Sequence, residues 1–239
     1  ALARLRDGRT NHGWRSALVV LATGLGKTWL AAFDYRQLHE ETGVRPRLLF
    51  LAHRQELLRQ AADTYRRLLR ARDVRARFGW FVGEGGDLSG DLVFASVAKL
   101  ARQEHLAKLV GQRFDYVVVD EVHHAAAQSY RSILRSLEPT FLLGLTATPD
   151  RADAADILGL FDDRLAYAAD IGRGVEIDRL VPFHYFGVRD EIDYANIPWR
   201  NKRFDPAALA EAAQTEARME TLWRAWHEHP CRKTLIFCC

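Results

Sequence analysis

The stretch LATGLGKTWL (residues 21–30) sets Gly24 and Gly26 directly ahead of Lys27 and Thr28. Glycine tolerates the left-handed backbone that turns successive amides inward, lysine brings a mobile cation, and threonine brings a hydroxyl. Together these groups suit a polyphosphate. The strict pattern for such a loop begins with glycine at the position that Leu21 occupies, so the expectation leans on an apolar strand before the glycines and a helix opening near Lys27. That helix would aim its unpaired first-turn amides and positive dipole end at the same anion, each bond to a charged acceptor contributing roughly 1.5–3 kcal/mol. Gly24, Gly26, Lys27 and Thr28 are therefore the expected nucleotide contacts, in a loop that also takes in Thr23 and Leu25. Lys27 would reach the β and γ phosphates, and Thr28 would offer its hydroxyl to Mg2+.

A magnesium nucleotide also requires carboxylates, and VVVDEVHH (117–124) supplies a pair. Asp120 ends an apolar run, where it would hold the metal through water, and Glu121 beside it would act as general base toward an attacking water. The plainer alternative is two solvated acids that cap the next helix. His123 and His124 follow at once, but adjacent side chains diverge and make a poor chelate. His227, His229, Cys231, Cys238 and Cys239 carry zinc-ligand chemistry at no zinc spacing, so ordinary packing is expected of them.

These groups need a scaffold that brings distant segments to one edge. Short runs, apolar at nearly every position, recur at 17–22, 47–52, 92–96, 116–121 and 141–147, as in strands covered on both faces of a parallel sheet. Helical periods lie between them, near 26–41, 54–72, 97–109 and 126–137. In the second of these, Leu57, Leu58, Ala61, Ala62, Tyr65, Leu68 and Leu69 form one stripe, and Arg59, Arg66, Arg67 and Arg70 read as its solvated face. The alternation predicts a doubly wound α/β fold, a parallel sheet with helices on both faces. After residue 151 the pattern loosens: RLAYAA and PFHYFGV are strand-like, 206–228 is helical, and TLIFCC (234–239) is again a strand.

Composition narrows the function classes. With 239 residues and 48% hydrophobic content the chain can bury a full core, and no apolar run nears the roughly 18 residues of a membrane span. Three cysteines provide no disulfide framework, and a cytoplasmic location is the default expectation. A net charge of +3 excludes a globally basic nucleic-acid binder, so any basic footprint must be local.

Taken together, ATGLGKT (22–28), LAHRQELLRQA (51–61), DEVHH (120–124) and LTATPDR (145–151) resemble, in this order, motifs I, Ia, II and III of superfamily 2 helicases and translocases. Within that superfamily they are most similar to the DEAD/DEAH-related group that includes type III restriction subunits. The resemblance implies a P-loop RecA-like first lobe over 1–180, a connector over 181–232, and the start of a second RecA-like lobe over 233–239, where CRKTLIFCC resembles motif IV. It implies ATP and Mg2+ as cofactors and nucleic acid, DNA ahead of RNA, as partner. It further implies that His123, Thr146 and Thr148 couple nucleotide state to lobe movement, and that His53, Arg54 and Ser96 hold nucleic-acid phosphates.

Two departures bear on activity. No glutamine stands upstream of motif I, and no arginine finger or remaining second lobe follows Cys239. Such a finger contributes about 10³–10⁵ in rate, so the 239-residue chain is expected to bind nucleotide and hydrolyse it poorly. Two other classes fit a bare P-loop: a small-molecule kinase and a non-catalytic nucleotide-binding scaffold. A kinase would require an acceptor pocket and lid arginines, which the sequence does not display.

Overall fold

The computed structural model describes residues 1–70, 75–84, 86–109, 111–122, 128–147, 154–189, 193–200, 203–229 and 232–236. The chain divides into two units, 1–182 and 183–239. The first is a layered α/β unit around seven strands: β1 (Ser16–Leu21), β2 (Leu48–Ala52), β3 (Phe78–Phe81), β4 (Leu92–Ser96), β5 (Tyr116–Val119), β6 (Phe141–Thr146) and β7 (Leu165–Ala169). Their order across the sheet is β3-β4-β2-β5-β6-β1-β7, and every neighbouring pair runs parallel. All seven carboxyl ends therefore emerge at one edge.

Alternation along the strands builds two cores. Ala17, Val19, Leu48, Phe50, Phe94, Val118 and Leu143 face one side, with Leu5 of α1 (Leu2–His12), Ala31, Ala32 and Tyr35 of α2 (Lys27–Thr42) and Leu58 and Tyr65 of α3 (Gln55–Arg70). Leu18, Leu49, Leu51, Val93, Val117 and Val119 face the other. There they meet Val97 and Leu100 of α4 (Val97–Leu100), Leu109 of α5 (Gln103–Leu109), Tyr130 and Ile133 of α6 (Gln128–Arg135) and Ile157 of α7 (Ala154–Gly159). Each strand is apolar on both faces because helices cover both. The expected stripe on α3 is buried except at Leu57, which is half-buried. Its arginine face is exposed apart from Arg66, which pairs with Asp63 at 2.8 Å and lies over the Phe78 ring.

Several local expectations need correction. The helix expected over 97–109 is two helices: the first ends in a tight turn where the Arg102 amide donates to Lys99 O at 3.2 Å, and the second starts afresh with the His105 and Leu106 amides on Arg102 O, both at 2.9 Å. The one expected over 206–228 is also two, α9 (Pro206–Ala213) and α10 (Glu216–Glu228), the second capped afresh by Thr215 on the Arg218 amide. PFHYFGV forms no strand, nor does 234–236, and 237–239 lies outside the described residues. Extended backbone becomes a strand only by pairing, and neither segment has a ladder partner among the described residues. α1 and β3 appear only in the structure, and RLAYAA extends the main sheet beside β1 as β7.

The first unit also carries α8 (Ile171–Glu176), and the second contains a 3-10 turn (Tyr194–Asn196), a short antiparallel pair β8 (Trp199–Arg200) and β9 (Arg203–Phe204), then α9 and α10. Trp199 stands edge-on to Phe204 at 4.7 Å. Among the described residues no helix is long and apolar enough to cross a membrane.

At the amino edge of the sheet, α1 is pinned to α2 by a buried ion pair. Arg9 Nη1 donates to both Asp34 oxygens at 2.9 and 2.7 Å, Tyr116 donates its hydroxyl to Asp34 Oδ2 at 2.6 Å, and the guanidinium lies over the Phe141 ring. Burial raises the Asp34 pKa while Arg9 opposes the shift. Removing one member leaves the other charged and desolvated, which costs far more than losing a solvated pair. Asp34→Ala is therefore expected to lower unfolding free energy by about 3–5 kcal/mol in urea denaturation. Breaking the exposed Arg66–Asp63 pair with Asp63→Ala should cost under about 1 kcal/mol.

Candidate functional site

After Leu21 the chain leaves β1 and bends through two left-handed glycines, Gly24 at φ 90 and Gly26 at φ 82. These conformations are open to glycine and strained for other residues. The Leu25 amide donates to Ala22 O at 3.1 Å, and the Ala22 amide donates to Ala169 O at 2.9 Å, which anchors the start of the loop on β7. Gly26 is the N-cap of α2, so the amides of the first turn have no partner within the helix and point out of its positive end. Lys27 Nζ donates to Leu21 O at 3.2 Å. That bond closes the loop into a ring with the ammonium in its mouth. Thr23 and Gly24 are exposed, and Leu25, Gly26, Lys27 and Thr28 are half-buried.

Asp120 and Glu121 follow β5. The Asp120 amide still donates to Leu51 O of β2 at 2.9 Å, so its backbone is held as a continuation of the sheet. Its side chain is buried, and Oδ1 accepts the Glu121 amide at 3.0 Å. Glu121 adopts φ 55, a left-handed backbone that costs a non-glycine residue about 1–3 kcal/mol. Burial first, and the Glu121 charge second, push the Asp120 carboxyl up to about 6, against the pull of the Glu121 amide and the Lys27 ammonium. Loop and acids share one edge because β1 and β5 both run parallel to β6.

Strand order accounts for this meeting. β6 runs between β1 and β5, with Thr146 opposite Val20 and Gly144 opposite Val119. Neighbouring strands lie about 4.8 Å apart, so the ends of β1 and β5 that carry loop and acids are separated by the width of one strand, β6. Thr146 ends β6 between them, fully buried. His123 and Thr148 lie outside the described residues.

The other half of the same edge carries the remaining expected residues. His53 and Arg54 are exposed directly after β2. Ser96, opposite Ala52 in the register, ends β4 and stands at the N-cap of α4 with its side chain buried. In the second unit, His229 stacks on Phe186 at 3.7 Å and the His227 ring Nδ1 contacts Trp223 O at 2.8 Å. Cys231, Cys238 and Cys239 lie outside the described residues.

Two further residues border the site without belonging to any motif. Tyr130 on α6 is buried with no hydrogen-bond partner for its hydroxyl among the described residues. Burial, then the charges of Asp120 and Glu121, push that phenol up to about 12. Leu180 packs against Gly24. Neither carries a local signal, since a tyrosine or leucine near a helix reads simply as core.

Comparison with known proteins supplies the family. The profile described as the type III restriction enzyme, res subunit, matches residues 1–151. A Schizosaccharomyces pombe protein named as a mitochondrial ATP-dependent helicase, irc3, is 31% identical over 240 residues, covering 95% of this chain and 38% of the relative. Its Saccharomyces cerevisiae namesake, IRC3, named as an ATP-dependent helicase, is 28% identical over 240 residues, with 95% of this chain and 34% of the relative covered. The chain thus spans little more than a third of the length of these relatives. A fragment of an HsdR subunit of a type I restriction enzyme from Vibrio vulnificus superimposes with a TM-score of 0.51 at 27% identity, over 73% of this chain and 30% of that one. The sheet and its covering helices are the RecA-like α/β fold of superfamily 2 cores.

The raised Asp120 pKa makes a stability prediction. Folded Asp120 titrates at about 6 against 3.8 for the free group. Between those values the folded chain binds more protons than the unfolded one, so stability falls as pH rises through the window. Asp120→Asn removes this cost. In chelator-treated protein it is expected to be more stable than wild type by roughly 1–3 kcal/mol at about pH 7.5, with the difference vanishing below about pH 4. Urea denaturation at the two pH values checks it, and equal stabilities at the higher pH would contradict a buried, destabilised carboxylate.

Proposed function

Because the chain belongs to the family of the type III restriction enzyme res subunit, we propose that it is the ATP-binding lobe of a nucleic-acid-dependent ATPase, a helicase or translocase with DNA as its track. The observation that carries the reading is the shared carboxyl edge, where the loop around Lys27 faces Asp120 and Glu121 across β6. The helicase names of the yeast relatives support it, and nothing in them favours the kinase or scaffold readings. In this proposal residues 1–180 form the first RecA-like lobe, 181–232 a connector and 233–239 the opening of a second lobe. Cytoplasmic residence, the expectation from cysteine usage, belongs to the same proposal.

The roles follow from the chemistry of each group. The first-turn amides of α2 and the Lys27 ammonium bind the phosphate oxygens, with Thr23, Gly24, Leu25 and Gly26 shaping the cradle. Thr28 and Asp120 are oxygen donors of the kind Mg2+ prefers, and a buried carboxylate that resists ionisation gains most from a neighbouring cation. Bound there, Mg2+ would neutralise charge on the β and γ phosphates. Glu121 orients the attacking water and accepts its proton. Thr146, standing between loop and acids, reports phosphate occupancy together with His123 and Thr148. His53, Arg54 and Ser96 hold the sugar-phosphate backbone, which carries position and no base identity.

ATPase assays on the complete protein, with single-stranded DNA, duplex DNA and RNA in turn, test the proposal. Turnover should rise with at least one polymer, DNA above RNA, and a rate indifferent to all three would refute a motor. Lys27→Ala should abolish ATP binding and turnover together. Glu121→Gln should keep ATP binding while turnover drops by about 10²-fold or more; a variant that hydrolyses at the wild-type rate would remove Glu121 as the base. The 239-residue chain by itself should bind ATP and turn it over about 10³-fold or more below the complete protein.

A further inference from the structure

The phosphate loop has a brace outside its motif. After β7 the chain enters α8 (Ile171–Glu176) and leaves it through a turn in which the amides of Arg179 and Leu180 both donate to Gly174 O, at 2.9 and 3.0 Å. Asp178 takes φ 55 within that turn, which reverses the chain and sends the Leu180 side chain back onto the loop. A Cβ built on Gly24 would meet Leu180 Cδ2 at 3.0 Å. One built on Gly174 would meet Leu180 Cδ1 at 2.6 Å and Leu25 Cδ2 at 3.0 Å. Leu180 joins neither of the two cores. Its half-buried side chain lies against Gly24 and Gly174, and Leu25, between the loop's own glycines, reaches the same face of Gly174, while Asp178, Arg179 and Val181 are exposed.

We propose that Leu180 is a positioning residue for nucleotide binding, a brace that holds Gly24 and Leu25 in the conformation that aims the loop amides at a polyphosphate. The proposal rests on the phosphate-loop reading above. Gly24 has no side chain of its own to restrict it and sits exposed at the loop tip, so without the brace the ligand itself would have to order the loop. A contact that orders the loop beforehand removes that cost from binding. By linkage, the bound ligand must in turn stabilise the turn that carries Leu180.

The test uses the 239-residue chain with ATP and Mg2+ and, separately, inorganic tripolyphosphate. Titration calorimetry should show Leu180→Ala binding both about 5–30-fold more weakly than wild type, the loss expected when one or two residues must be ordered on binding. Its thermal midpoint should stay within a few degrees, and Leu180→Met, which keeps the reach of the side chain, should restore affinity. In wild type, ATP should slow hydrogen exchange at the Arg179 and Leu180 amides. Should Leu180→Ala fail to fold, Leu180→Val, which stays apolar but loses reach, is read by the same criteria. Wild-type affinity in a folded Leu180→Ala or Leu180→Val, or exchange at these two amides that ATP leaves unchanged, overturns the brace alone. Wild-type protein that binds neither ATP nor tripolyphosphate overturns the phosphate-loop reading, and the brace falls with it.

Discussion

Parallel pairing is the constraint on which the site depends. Every strand of the seven-stranded sheet runs the same way, so every strand-to-helix turn is delivered to one edge, where helix N-termini and strand-end side chains converge. The loop after β1, Thr146 at the end of β6 and the acids after β5 become neighbours through this geometry although long stretches of sequence separate them. The residues after β2 and at the end of β4 occupy the same edge farther along. One sheet thus presents the glycine loop and the paired acids on the same edge as His53, Arg54 and Ser96.

The edge that carries the site also collects conformations and charges that oppose stability. Glu121 holds a left-handed backbone, Asp120 is a carboxylate resisting ionisation, and Gly24 and Gly26 surrender the freedom of glycine. These costs persist because the opposite edge is tightly tied. There Arg9 and Asp34 form their buried pair under Tyr116. Arg47 donates to the carbonyls of Leu88, Gly90 and Arg113 while its guanidinium covers Phe114. Helix α2 connects the two ends: it begins at the glycine loop and carries Asp34 two turns farther on. Strain concentrated at a site and offset by ordinary packing elsewhere is the pattern expected where function competes with stability.

Much of the scaffold was legible because it is written in local periodicity. YVVV and LLFLA are apolar at every position, which marks strands covered on both faces, and the stripe on α3 repeats at the helical period. Where the same signals occur without a ladder partner no strand forms: PFHYFGV has the composition of a strand and joins no sheet among the described residues. β3 shows the opposite case, a strand with little local signal. FGWF is only four residues long and contains glycine, yet pairing with β4 makes it a strand.

The sequence by itself determined the chemical inventory: the glycines that admit left-handed turns, the lysine and threonine after them, the adjacent acids, and their order along the chain. These are properties of single residues and near neighbours, and they survive without coordinates. Tertiary structure alone decided that β6 enters between β1 and β5, that β7 closes the sheet beside β1, that burial lifts Asp120 to about 6, and that Leu180 bears on Gly24. Each of these depends on which distant segments pack together, and a local pattern records which faces a segment must bury but not which partner will cover them.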